Sequence, residues 1–259
     1  MLAALGAAAV APAAANPPSA SELPLTLSPY GLIFVPVTVG GADVLAMIDT
    51  GAFTRVQISR SLATRLKLAT ASSGESAQGY AYARTAVERA KTSVAVGQVV
   101  EEAEVTVVGT TLESVAKQVG TPFEALLGWG FVRERTCRID YPRRRIAFGG
   151  APAVGTTVLH YREVNRAPIV DVVAAGKRIA MLFDTGAPTC TLEAKTFGIE
   201  PNTFRDVEYR LAGTTATLRT LGRDLAANAA LGIQGVIGTN ALERYVVGID
   251  PGDSRIVLS

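Results

Sequence analysis

Few side chains in this sequence are equipped for chemistry. His160 is the single histidine, so neither an HExxH zinc site nor a multi-histidine metal cage can be built. Cys137 and Cys190 are the only cysteines, which excludes a zinc ribbon. No Gly-x-Ser-x-Gly elbow is present, and His160 lies in the polar run His160-Tyr161-Arg162-Glu163, which reads as surface. Catalysis therefore falls to carboxylates or hydroxyls. Two carboxylates stand out by context. Ile48-Asp49-Thr50-Gly51-Ala52 recurs 135 positions later as Phe183-Asp184-Thr185-Gly186-Ala187. A single Asp-Thr-Gly is an ordinary turn, in which the aspartate accepts backbone N–H groups and the glycine supplies φ > 0.

The elements that must position these aspartates repeat as well. At the same offset Val35 and Val37 meet Val170 and Val172, and Gly41 meets Gly176. Each motif is thus reached through two alternating apolar stretches joined at a glycine turn, a β-hairpin pattern. A second pattern repeats 110 positions apart: Leu126-Leu127-Gly128 with Val236-Ile237-Gly238, Ile139-Asp140 with Ile249-Asp250, and Ile146 with Ile256. The second copy is therefore 25 residues shorter between its two patterns, the difference between offsets of 135 and 110.

A doubled Asp-Thr-Gly, each copy preceded by a hairpin and followed by an apolar-apolar-Gly segment and an Ile-Asp strand, resembles the aspartic peptidases of the retropepsin-like and pepsin-like group. The likeness runs from about Tyr30 to Ser259, and the chain looks like two fused retropepsin-like units. The resemblance implies an all-β, two-lobed acid-protease fold of β-barrels, with an interlobe cleft and few short helices. It makes Asp49 and Asp184 the catalytic pair, one from each lobe, and Thr50, Gly51, Thr185 and Gly186 their support. In that family two carboxylates about 3 Å apart cannot both ionise, so they share one proton and titrate as a unit. The ionised member takes a proton from a water held between them, and the protonated member polarises the scissile carbonyl. Such chemistry needs no metal and no cofactor. Glycine without a Cβ lets backbone N–H groups approach the carboxylates. The threonine hydroxyls are expected to bond across the pseudo-twofold, as they do in family members. Alanine follows each motif glycine, as in retropepsins, where pepsin-like enzymes carry Ser or Thr. The missing hydroxyl donors predict a dyad working at milder acidity than pepsin.

The resemblance also implies a flap after the first motif. Gly79-Tyr80-Ala81-Tyr82-Ala83-Arg84 is the candidate, with Tyr80 or Tyr82 contacting substrate; an ordinary hairpin with half-exposed tyrosines is the other reading. The matching segment of the second lobe, Leu211 to Leu221, carries no aromatic, so one flap per molecule is expected. Trp129 is read as core or as cleft lining. The run from Ser59 to Leu66 is expected to form a short helix capped by Ser59, with Leu62 and Leu66 facing the sheet. Arg143-Arg144-Arg145 is expected at a solvated hairpin tip.

Composition bounds the remaining possibilities. With 48% apolar and 19% charged side chains over 259 residues, the chain is globular, and a net charge of +2 without a basic stripe argues against a nucleic-acid partner. Met1 to Val10 is an apolar run followed by small residues, which reads as a secretory signal even though no Lys or Arg precedes it. It is too short for a stable membrane span. Export to a bacterial periplasm or out of the cell is the expectation, a compartment that would permit a Cys137–Cys190 disulfide, although two separate buried thiols are favoured. The expected division is 1–27 for the signal and a disordered start, 28–150 for the first lobe and 157–259 for the second, with a Gly/Pro/Ala-rich linker at Gly149 to Thr156. The partner is an extended polypeptide added as a strand, and a monomer is expected because one chain encodes both aspartates. Two alternatives stay open: an exported, non-catalytic peptide-binding module of the same fold, and a pair of structural barrels whose aspartates only cap turns.

Overall fold

Residues 22–78, 84–109, 111–151, 154–155, 157–211, 213–225, 228 and 231–259 are described by the computed structural model. Strand formation begins where the sequence alternates. Ile33–Val39 and Ala42–Asp49 pair through a two-residue turn at Gly40 and Gly41, both with φ > 0. The second copy pairs Ala167–Ala174 with Lys177–Phe183 through Ala175 and Gly176, again both at positive φ. Turns of this hand match the right-handed twist of the flanking strands, which is why glycine serves at three of the four places.

Each hairpin is the first third of a closed six-stranded barrel. In the first lobe the neighbours run Ile33–Val39, Ala42–Asp49, Ala125–Gly128, Val56–Ser59, Val99–Val108 and Arg84–Val96, and the ring closes where Thr38 and Val39 pair with Ala95 and Val94. In the second they run Ala167–Ala174, Lys177–Phe183, Ile233–Ile237, Cys190–Glu193, Thr214–Arg223 and Phe204–Leu211, closed by Val173 and Ala174 on Arg210 and Tyr209. Strand order and closure are the same in both. Between the barrels Cys137–Asp140 pairs antiparallel with Val246–Asp250, and four flanking strands widen this seam into a bridging sheet. One apolar core runs through both barrels and the seam, from Ile33 and Ile58 to Phe183 and Ile256. The all-β, two-lobed acid-protease fold expected from the sequence is what the chain adopts, with only short helices among the described residues.

Register also explains the shortened second copy. Tyr209, which closes the second barrel, lies 115 positions after its counterpart Val94, whereas Ala174 lies 135 after Val39. Twenty of the 25 missing residues are therefore lost between the motif and this closing strand. In the first lobe that stretch holds the extra strand Ala71–Gln78, which pairs with Arg84–Val96 outside the ring. Among the described residues the second lobe has no equivalent of it. This corrects the sequence alignment of the two halves: the hairpin around Leu211 matches the one around Gly97, not the flap.

Smaller expectations are met locally. Helix Arg60–Arg65 starts at Ser59, whose hydroxyl accepts the Leu62 N–H at 3.1 Å, and Leu62 is fully buried. The turn after Asp140 carries Arg143 and Arg144, and the Asp140 carboxylate accepts the Arg143 N–H at 3.0 Å. Cys137 and Cys190 are separate buried thiols, each pushed up to about 12 by burial. His160 is exposed. Among the described residues no helix is long and apolar enough to cross a membrane.

Candidate active site

Parallel pairing delivers both aspartates to one place. Asp49 ends its strand opposite Gly128, and Phe183, just before Asp184, ends its strand opposite Ile237, just before Gly238. A Cβ on Gly128 would collide with the carbonyls of Ala52 and Thr54; one on Gly238 would collide with those of Ala187 and Thr189. These two glycines let the crossing strands lie against the loops that carry the aspartates. Backbone bonds then fix the contact: Trp129 N–H donates to the Ala52 carbonyl at 2.6 Å, and Thr239 N–H to the Ala187 carbonyl at 2.8 Å.

The loops meet face to face. A Cβ on Gly51 would overlap the Asp184 carboxyl, and a Cβ on Gly186 would overlap the Asp49 carboxyl, so each aspartate occupies the space its neighbour's glycine leaves empty. Behind them the threonines interlock. Thr50 N–H donates to Thr185 Oγ1 at 3.1 Å and Thr185 N–H to Thr50 Oγ1 at 3.0 Å. Each hydroxyl in turn donates to a main-chain carbonyl of the opposite lobe, Thr50 Oγ1 to Phe183 O at 2.8 Å and Thr185 Oγ1 to Ile48 O at 2.9 Å. All four bonds cross between lobes, and both threonines are fully buried. The sequence suggested the hydroxyls; it did not suggest that their acceptors are the carbonyls directly before each aspartate.

The carboxyls are not equivalent. Asp49 Oδ1 accepts N–H groups from Gly51 at 2.9 Å and Ala52 at 3.0 Å. Asp184 Oδ1 accepts from Gly186 at 2.7 Å and its carboxyl also takes the Gly51 N–H; Ala52 and Ala187 N–H each also donate to the main-chain carbonyl of their own aspartate, at 3.2 and 3.4 Å. Burial pushes both carboxyls above the ordinary carboxylate range. For Asp184 the charge of Asp49 adds to burial and holds its proton further. For Asp49 the hydrogen bonds from Asp184 and from the Ala52 and Gly51 N–H groups pull the other way. The geometry thus supports one proton shared by the pair, which titrates as a unit.

Residues 35–131 match the family model described as aspartyl protease. Within the first lobe the chain is thus similar to the aspartyl proteases. That match covers the first lobe; the likeness of the whole chain is one of fold. It superposes on the crystal structure of the aspartic proteinase from Irpex lacteus with a TM-score of 0.63 at 12% identity, over 93% of this chain and 97% of that one. Comparison with curated proteins gave no match.

The remaining site expectations fall differently in the two lobes. Tyr80 and Tyr82 lie outside the described residues, in the sequence between the strands Ala71–Gln78 and Arg84–Val96. Trp129 is core, not cleft lining: it is fully buried, with its ring edge-on to Tyr161 at 5.1 Å. Its indole N–H donates to Glu163 Oε1 at 2.8 Å, a contact between lobes that no motif in the sequence signals. A surface hollow of about 340 Å³ between Leu45, Ser61, Glu113 and Phe123 shares no residue with the aspartate pair, and it does not belong to this site.

Proposed function

We propose that this chain is an aspartic endopeptidase that hydrolyses peptide bonds with a water activated between Asp49 and Asp184. The observation that carries the reading is the mutual packing of the two carboxyls against each other's motif glycine. Turn-capping aspartates would need their own N–H bonds but not each other. In the proposed cycle Asp49, ionised and steadied by two N–H donors, removes a proton from the water as it attacks the scissile carbonyl. Asp184 gives its proton to the carbonyl oxygen. Collapse of the tetrahedral intermediate breaks the C–N bond, with a proton passing to the departing amine. An extended peptide would add as a strand in the cleft between the lobes. Both aspartates come from one chain, so a monomer suffices.

The experiment is hydrolysis of denatured casein, with a hydroxyl-isostere peptide as competitor. Catalysis requires the tetrahedral mimic to bind at least about a hundredfold tighter than the matching substrate peptide. Equal affinities without cleavage would sink the peptidase reading and favour a peptide-binding module.

The pH dependence follows from the unequal carboxyls. A bell-shaped profile of kcat/KM is expected, falling at low pH as Asp49 protonates and at high pH as the proton on Asp184 leaves. Ala52 is half-buried, whereas Ala187 is 1% exposed. In Ala52→Ser the new hydroxyl donates to the Asp49 carboxylate and favours its charged form. Its titration therefore moves down, and the acidic limb should shift to lower pH by roughly half a unit to one unit. A flat profile between acid and neutral, or a single alkaline rise, would contradict the shared proton.

A further inference from the structure

The two halves of the site are built alike but anchored differently. After the crossing glycine of the first lobe stands Trp129, and after that of the second stands Thr239. Both use their N–H to hold the carbonyl of the alanine that follows the motif. Their side chains differ in kind. Thr239 Oγ1 lies 3.2 Å from the Tyr30 carbonyl and 3.1 Å from the Pro188 carbonyl, which are neutral main-chain acceptors. Trp129 instead donates to a carboxylate, Glu163 Oε1, and Arg133 on the same side donates to Glu163 Oε2 at 2.7 Å. Glu163 belongs to the second lobe, on strand Thr157–Val164.

An unbroken line of bonds therefore leads from Glu163 to Asp49. The carboxylate holds the Trp129 indole, Trp129 N–H holds the Ala52 carbonyl, and Ala52 N–H donates to Asp49 Oδ1. In the second lobe Ala187 N–H donates to the Asp184 main-chain carbonyl at 3.4 Å, whereas Ala52 N–H is shared between the Asp49 main-chain carbonyl at 3.2 Å and Asp49 Oδ1 at 3.0 Å. The indole bond is charge-assisted and anchored on a buried ring, so it is directional and strong. The Arg133 pair is about 40% and 34% exposed at its two side chains and contributes little beside it. We infer that Glu163 is a positioning residue for Asp49, acting through Trp129 and Ala52, and that it makes the first-lobe aspartate the one that ionises and activates water. This rests on the peptidase reading for its consequence in turnover, but not for its consequence in titration.

Glu163 faces Arg133 and Tyr161, and the dyad is approached from the bridging sheet by Tyr141, which feels the charges of Asp184 and Glu243. If the line is cut, Ala52 N–H no longer aims at Asp49, the charged form of Asp49 is disfavoured, and its titration rises. Three variants test this. Glu163→Ala removes the anchor, Trp129→Phe keeps the ring and loses the N–H, and Glu163→Gln keeps a carbonyl acceptor for the indole. For the first two, kcat on a fluorogenic casein-derived peptide, per site counted with a tight isostere inhibitor, should fall roughly ten- to a hundredfold with KM nearly unchanged. The acidic limb should move up, and Glu163→Gln should restore most of both. Carbon-13 titration of the two aspartate carboxyls gives an independent measure: the Asp49 signal should titrate at higher pH in Glu163→Ala and Trp129→Phe, and near the wild-type position in Glu163→Gln. A merely structural role would lower the folded yield and the melting temperature while leaving the profile of the folded fraction unchanged, and that result overturns the inference. An Asp49 titration that shifts in a protein without hydrolytic activity would uphold the positioning and overturn the peptidase reading instead.

Discussion

Asp49→Asn and Asp184→Asn are each expected to lower peptide turnover on the order of 10²- to 10⁴-fold, the contribution of a positioned acid or base. The two should lose activity alike, because an amide in either place can neither take the proton from water nor give one to the carbonyl. Loss of fold is not the expected cause. Both carboxyls are raised by burial, so the folded chain binds protons at this pair more tightly than the unfolded chain does. The stability this brings is present below the ordinary carboxylate range and is lost as pH climbs through the raised folded values. Asparagine removes that penalty at neutral pH, where the variants should melt no lower than the parent. Near-parental turnover in either variant, measured on protein with an unchanged melting curve, would exclude the shared-water mechanism.

A loss of similar weight, but in stability, is expected from the threonine interlock. Thr50→Val removes one hydroxyl and leaves two buried groups without partners, the Thr185 N–H and the Phe183 carbonyl. Each such group costs about 1–3 kcal/mol, so the variant should lose about 2–6 kcal/mol. That is a large share of the 5–15 kcal/mol typical of a folded protein, roughly a 5–20 °C drop in melting temperature at this chain length. Thr185→Val should cost the same for the matching reason, since it strands the Thr50 N–H and the Ile48 carbonyl. The double variant should cost less than the sum only if the loops part and water enters. Thr50→Ser keeps the oxygen and should stay within about 1 kcal/mol of the parent. If Thr50→Val and Thr50→Ser melt alike, the four bonds are not what joins the lobes. Turnover should fall along with stability in the valine variants, because the same bonds set the spacing of the carboxyls.

Much of this molecule is legible in its sequence because the signals are local or repeated. The doubled Asp-Thr-Gly-Ala, the glycine turns at Gly41 and Gly176, and the alternating stretches before them each report a short-range requirement: a backbone that must take positive φ, a strand with one buried face, a loop without a Cβ. Repetition at a fixed offset turned those weak signals into an architecture. The Ser59 cap and the turn after Asp140 are local in the same sense. The flap comparison failed where locality ended. The 25-residue shortfall was visible, but its assignment to Leu211 and its neighbours needed the pairing of Val39 with Val94 and of Ala174 with Tyr209, contacts between residues distant in sequence.

The sequence by itself determined that two aspartates sit on equivalent loops of two similar β lobes, because each loop is specified by its own residues and those residues occur twice. Only the tertiary structure decided that the aspartates are unequal. Asp49 Oδ1 takes N–H groups from Gly51 and from Ala52 of its own loop, Asp184 takes Gly186 of its own loop and Gly51 of the other, and Trp129 ties the first loop to Glu163 of the other lobe. Nothing in the type or spacing of Trp129, Arg133 and Glu163 marks them as partners. They meet because the bridging sheet brings the first lobe's crossing strand against the second lobe's opening strand, and a contact made by that docking has no local sequence requirement to reveal it.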